Sequence, residues 1–144
     1  MMFLLDTNVI SELRKAKTRK IDRSVAAWAK ATDPEFMYLS VITILELETG
    51  VLRVARRDQS QAKLFRTWID DLIMPGFAGR ILPVDLEVVR RCAPLHVPDP
   101  QPERDALIAA TALLHGMKIV TRNVRDFEPM GVPLLNPWEA GRKV

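Results

Sequence analysis

Short apolar runs alternate with stretches in which apolar residues recur at three- and four-residue spacing, and this alternation continues almost to the end of the chain. Residues 2–5 form a first apolar run that stops at Asp6, and residues 7–16 take up a helical pattern with Thr7 as the predicted cap. A second helix is predicted over residues 21–32, where Ile21, Val25, Trp28 and Ala29 share a face and Pro34 marks the stop. FMYLSV, residues 36–41, reads as a buried strand, and Thr43 opens a helix that runs to about Arg57. The amphipathic pattern of residues 59–74 puts Phe65, Trp68, Ile69, Leu72 and Ile73 on one stripe, a spacing that predicts core packing. Pro75, Gly76 and Gly79 close that segment, ILPV near residue 82 supplies a strand, and a helix follows from about Asp85.

The four prolines between Pro94 and Pro102 predict a stiff surface connection. It leads into a helix over residues 103–116, the apolar strand MKIVT, a polar loop from Arg122 to Asp126 and a last apolar piece at Leu134 and Leu135. Strands that alternate with helices predict an α/β fold with a mostly parallel sheet and helices on both faces. At 144 residues and 48% hydrophobic content the chain suits one domain, expected over residues 1–140, with residues 141–144, GRKV, as a frayed tail. No apolar run approaches the roughly 20 residues that cross a bilayer, and MMFLLDTN turns polar too early for a secretory signal. The expectation is a soluble, cytoplasmic protein.

Against this pattern four acids stand out: Asp6, Glu46, Asp105 and Asp126 each lie in or beside an apolar segment, where an unpaired charge is costly to bury. Asp6 ends the first strand, the place where open α/β sheets bind ligands, and Asp126 follows the strand that ends at Thr121. Glu46 shares its helical face with Ile42, Thr43, Thr49 and Gly50, a surface small enough to leave room for an ion or substrate. Asp105 sits with Ile108, Ala109 and Ala112 in a first helical turn, where the helix dipole favours it. Taken singly, Asp6 reads as a helix cap, Glu46 as a partner for Arg53 and Asp105 as a dipole residue. Taken together, four converging carboxylates would repel and raise one another's pKa unless cations compensated them. Hard divalent ions do so through oxygen ligands, and an ion of that kind can activate water against a phosphodiester. The other metal ligands are sparse. Cys92, at helical spacing with Leu86 and Val89, reads as a small core residue, and His96 and His115 show no ligand pattern. Neither a disulfide nor a zinc site is available.

Charge adds a second theme. The net charge is +3, but setting the four acids aside leaves 14 acids against 21 Lys and Arg, a balance of +7. Basic residues bunch at Arg14, Lys15, Lys17, Arg19, Lys20 and Arg23, and again at Arg53, Arg56 and Arg57. Such a run is either a solvated face or an attraction for phosphate backbone, and the segment from Arg14 to Lys20 is expected to share in RNA or partner contact. Trp28, Trp68 and Trp138 are expected in core or interface packing rather than stacked on bases.

LLDTN, the SxxTxxELxxG pattern at Ser40, Thr43, Glu46 and Gly50, DALIAATA from Asp105 and TRNVRDF from Thr121 occur in order between Phe3 and about Trp138. Together they resemble the PIN-domain ribonucleases, specifically the VapC and FitB type toxins of bacterial toxin and antitoxin pairs. The resemblance implies a three-layer α/β/α fold, a homodimer, and Mg2+ or Mn2+ dependent endonucleolytic cleavage of RNA, held off by a cognate antitoxin in the active-site groove. It maps the family's acids onto Asp6, Glu46, Asp105 and Asp126. Asp6, Asp105 and Asp126 would be direct metal ligands, and Glu46 would touch metal or orient the attacking water. Thr7, Asn8, Thr121 and Asn123 would be polar neighbours of the metal or its waters. A housekeeping PIN nuclease of RNA processing and a catalytically idle RNA- or protein-binding module are the alternatives. A haloacid-type phosphatase would need a second Asp where Asn8 stands, and a phosphoacceptor receiver domain has no use for a helical Glu46.

Overall fold

β-Branched and leucine-rich runs too short to stand alone are assembled side by side in a five-stranded sheet. The structure is a computed structural model that describes residues 1–140, so the predicted tail lies outside the described residues. The strands are β1 (Phe3–Leu5), β2 (Met37–Ser40), β3 (Ile81–Leu82), β4 (Lys118–Val120) and β5 (Leu134–Leu135), in the order β3-β2-β1-β4-β5. All four pairings are parallel, with Phe3 opposite both Met37 and Lys118. The chain therefore starts in the middle, adds two strands on one side, then two on the other. The crevice beyond the carboxyl end of β1 is the point where the winding reverses, which is where ligands bind in sheets of this kind.

Strand residues alternate between the faces, and each face is sealed by helices. Leu4 and Ile119 pack with Val88, Ala106, Ala109 and Phe127, which belong to α6 (Leu86–Cys92), α7 (Glu103–His115) and α8 (Val124–Phe127). Leu5, Leu39 and Val120 pack on the other face with Val9, Ile10, Leu47 and Ile69. That layer consists of α1 (Thr7–Leu13), α3 (Val41–Ala55), α4 (Gln59–Trp68) and the π turn Ile69–Ile73, while α2 (Arg23–Ala31) tucks Val25 beneath α1. Each of these large apolar side chains adds about 1.5–3 kcal/mol by leaving water. The predicted parallel α/β architecture with helices on both faces is the one observed.

Several local expectations are corrected. The cap of α1 is Asp6, whose side chain accepts from the Thr7 N–H, and Thr7 is the first helical residue. That helix ends at Leu13 rather than near residue 16, because RKAKTRK offers no large apolar side chain to hold another turn against the core. The stripe predicted over residues 59–74 is broken by the π turn, which inserts a residue into the helical repeat, buries Ile69 and Ile73 and turns Leu72 outward; α5 (Met74–Gly76) follows it. In α6 the inward face is Val88 with Cys92, while Leu86 and Val89 are exposed, so Cys92 is a core residue through a different set of neighbours. Asp126 lies in α8 rather than in a loop: the Asp126 N–H reaches the Asn123 carbonyl at 3.1 Å and closes a helical turn just after β4.

Candidate active site

The carboxyl ends of β1 and β4 lie side by side, joined by an Asp6 N–H to Val120 carbonyl bond of 2.9 Å, so the residues that follow the two strands meet. Asp6 follows β1 and is buried, with 7% of its surface exposed. One of its oxygens accepts the Thr7 N–H at 2.9 Å; the other accepts the Thr121 hydroxyl at 2.8 Å and the Asn8 amide at 3.4 Å. Thr121, which follows β4, is fully buried and accepts from the Asn8 amide at 3.3 Å and from the Asn123 N–H at 3.0 Å. The Asn8 side-chain oxygen takes the Arg122 N–H at 3.2 Å. Three polar residues, none with a charge to neutralise Asp6, thus fix its position. This is a built floor rather than a simple helix cap.

The other acids come in over that floor from helices. Glu46 projects from α3, where Ser40 caps the first turn through the Ile42 N–H; its Oε1 accepts the Thr7 hydroxyl at 2.7 Å and its Oε2 lies 3.8 Å from Arg104 Nη1. The expected partner Arg53 is therefore replaced by an arginine from α7. Asp105 stands one residue later in that helix, half-buried. Asp6, Glu46 and Asp105 line one concavity of about 300 Å³ with Thr7, Asn8, Ser11 and Asn123. Asp126 is exposed on α8 and does not line the concavity, but its charge acts on both Asp6 and Asp105. The sequence argument that all four acids face a burial cost holds for Asp6, partly for Asp105 and Glu46, and not for Asp126.

The electrostatics follow from this arrangement. Burial pushes the Asp6 carboxyl above its ordinary value, the hydrogen bonds from Thr121 and Thr7 work against that rise, and Glu46 and Asp126 add to it. Asp105 is pushed up to about 6, first by burial and then by the charges of Asp6, Asp126 and Glu46. Every charge acting on these two groups is negative. Among the described residues no three carboxylate, imidazole or thiol groups are drawn tightly enough together to form a finished cation cage. The chemistry of the set nevertheless suits a hard divalent ion. Its donors are carboxylate, hydroxyl and amide oxygens, and Mg2+ in particular keeps several waters and needs only one or two carboxylates directly. The open concavity leaves space for those waters.

Two site residues escaped the sequence argument. Ser11 lies one turn beyond Thr7 on α1, a spacing that would have found it. Arg104 adjoins Asp105, but no spacing rule pairs it with a glutamate 58 positions away. Gly50 corrects an expectation in the other direction. A Cβ there would come within 3.3 Å of Phe65, so its smallness serves the packing of α4 on α3 and leaves no room for an ion.

The basic run divides. Arg14 lies over the rings of Phe65 and Trp68, 4.6 and 5.5 Å from their centroids, and Lys15 pairs with Glu12 at 3.1 Å. Lys17, Arg19 and Lys20 are exposed in the turns after α1, and Arg19 borders a separate concavity with Arg23 and Lys30. The tryptophans are packing residues: Trp28 is edge-on to Phe3, Trp68 tilts against Phe65, and Trp138 lies beneath Arg122. His96 accepts the Gln101 N–H at Nδ1, which leaves the proton on Nε2, the atom 3.7 Å from the Cys92 sulfur. In that tautomer it cannot take the thiol proton, and burial pushes the Cys92 thiol up, so the two are not a nucleophile and its base.

Comparison with known proteins agrees with this geometry. The PIN domain matches residues 3–131. VapC ribonuclease Y4jK of Sinorhizobium fredii is 40% identical over 143 residues, covering 96% of this chain and 99% of that protein. Toxin FitB of Neisseria gonorrhoeae is 36% identical, covering 95% and 99%. A solved structure of FitAB bound to a DNA fragment superposes with a TM-score of 0.86 at 33% identity, covering 99% of this chain and 100% of that one.

Proposed function

The chain belongs to the PIN domain family, and we propose that it is an endoribonuclease, the toxin of a toxin–antitoxin pair, hydrolysing RNA phosphodiester bonds at Asp6, Glu46, Asp105 and Asp126 with Mg2+ or Mn2+. One observation carries this reading: carboxylates that follow β1 and project from α3 and α7 share a concavity, where burial first and the surrounding negative charges, Asp126 included, second raise the pKa of Asp6 and Asp105, so the ionised site needs cations to compensate it. The relatives named VapC ribonuclease and toxin FitB, matched along nearly their full length, support the activity and the toxin role.

Each residue has a distinct part. Asp6, Asp105 and Asp126 would hold the divalent ion, with Asp6 kept in place by Thr7, Asn8 and Thr121. When bound, such an ion supplies Lewis acidity toward the phosphodiester and makes water a better nucleophile near neutral pH. Glu46, held at Oε1 by the Thr7 hydroxyl, lines the concavity, where its other oxygen would accept a proton from the attacking water or contact the ion. Asn123 adds to the polar lining of the concavity. The exposed Lys17, Arg19 and Lys20 extend a cationic approach for RNA or a partner, whereas Arg14 and Lys15 are held by contacts within the chain. The proposed nuclease unit is residues 1–140, acting as a cytoplasmic homodimer restrained by an antitoxin that covers the groove. None of the described helices is long and apolar enough to cross a membrane.

The test is incubation of the pure protein with RNA and Mg2+ or Mn2+ beside an Asp6→Asn variant. Cleavage by the wild type alone supports the reading. Equal RNA loss with both proteins would mark a contaminant and sink it.

A further inference from the structure

A site built from four acids has to attract a substrate whose backbone is itself negative. Divalent ions answer part of that problem at the bond being cut, and the neighbouring phosphates need cations from the protein. Among the described residues, Arg104 is the single Lys or Arg within 4.0 Å of any of the four carboxylates. Its contact with Glu46 is loose. At 3.8 Å the pair lies beyond hydrogen-bond range, and the Arg104 side chain, 49% exposed, makes no hydrogen bond to the described residues. Four arginines elsewhere are tied down, Arg66 forking onto Glu48, Arg80 holding the carbonyls of Pro34, Met37 and Gly76, and Arg14 and Arg122 lying on aromatic rings, and none of the remaining described ones comes within 4.0 Å of the four carboxylates. Arg104 therefore has its planar fork of donors free at the rim of the acidic concavity, anchored one residue before Asp105 in the first turn of α7.

We propose that Arg104 is a substrate-binding residue that leaves Glu46 to grip a backbone phosphate of single-stranded RNA next to the bond being cut. The inference rests on the ribonuclease reading of the same site. The trade is favourable because an exposed pair at this distance is worth little, whereas a phosphate offers the guanidinium two oxygens in matching geometry. Departure of Arg104 also frees Glu46 Oε2 for its part in the reaction, so substrate arrival and release of Glu46 are one event.

The experiment measures binding of a short single-stranded RNA to metal-free protein by fluorescence anisotropy over a range of salt, together with cleavage kinetics in Mn2+, for wild type, Arg104→Ala and Arg104→Lys. Arg104→Ala should weaken RNA binding about five- to tenfold at low salt and raise KM by a similar factor with kcat little changed. It should also lower the slope of log affinity against log salt by about 0.7, the value for one phosphate contact on a single strand. Arg104→Lys should keep that slope and regain part of the affinity, because it keeps the charge and loses the fork. Thermal melting should match the wild type for both variants, and Arg104→Lys keeps the test decisive should Arg104→Ala fail to fold. Unchanged RNA affinity, salt slope and KM in an active Arg104→Ala protein would overturn the proposal. So would a loss of kcat alone, which would mean that Arg104 only orients Glu46, or a loss of affinity confined to a protein antitoxin. A wild type that neither binds nor cleaves RNA would instead overturn the ribonuclease reading itself.

Discussion

The floor and the rim of the acidic site are built on opposite terms. Asp6 is buried, follows the central strand and is fixed by Thr7, Asn8 and Thr121 before any cation or substrate arrives. Asp105, Asp126 and Arg104 stand on short or first-turn helical segments, are half-buried or exposed, and have few bonds that specify where they point. Preorganisation is expensive where charge must be buried, so it is concentrated at one carboxylate and supported by neutral donors. The rim costs little to build and can adjust to an ion and an RNA strand. On the proposed reading, the site is rigid where the geometry of hydrolysis would be set and adaptable where charge would be exchanged.

Breaking the floor should have the largest effect. Asp6→Asn keeps the shape and removes the charge, and RNA cleavage in Mg2+ or Mn2+ should fall by about 10³-fold or more, since several kcal/mol of stabilisation depend on the ion. Thr121→Val removes a hydroxyl that serves Asp6, Asn8 and Asn123 together. Its cleavage rate should fall about 10- to 100-fold, and chemical denaturation should show a loss of about 1–3 kcal/mol from the polar groups left unpaired.

The rim is sharpened by pH. Asp105 has its pKa raised from 3.8 to about 6, so the fold favours its protonated form. That contribution to stability is fully present below about pH 3.8 and is lost as the pH rises through about 6. Asp6 shifts in the same direction. The melting temperature of metal-free protein should therefore decline across this window, Mn2+ should raise it more at pH 8 than at pH 5, and Asp105→Asn should flatten the metal-free decline. A metal-free protein that gains stability with rising pH over that window would contradict the assignment of charge. The smallest effect is expected beyond the rim: Arg14→Ala should lower stability by about 0.5–2 kcal/mol through its lost ring contacts while RNA cleavage stays at the wild-type rate.

How much of this was legible in the sequence depended on the range of the interaction. The sheet and its helices follow from local periodicity, and Asp6 could be placed because a strand end next to a helix start is a local event. The DALIAATA helix likewise put Asp105 on a packing face that the structure buries at Ile108, Ala109 and Ala112. What failed was contact between distant segments. Arg53 was the natural partner for Glu46 on its own helix, and only the approach of α7 to α3 brings Arg104 there instead. Gly50 faces Phe65 of the next helix rather than an ion, and the π turn, which nothing in the hydrophobic spacing announced, turned Leu72 outward. Asp126 was found by motif, but its exposure depended on a short helical turn that the polar composition of residues 122–126 concealed.

The central claim is that the acids act together as a site for a divalent ion, with Asp6 as its fixed member. Calorimetric titration of Mn2+ into the metal-free protein at pH 7, wild type beside Asp6→Asn, tests it without reference to RNA. The account predicts saturable binding by the wild type that Asp6→Asn loses, with the variant still folded by its circular dichroism. Equal Mn2+ binding by the two proteins, or none by the wild type, would contradict it.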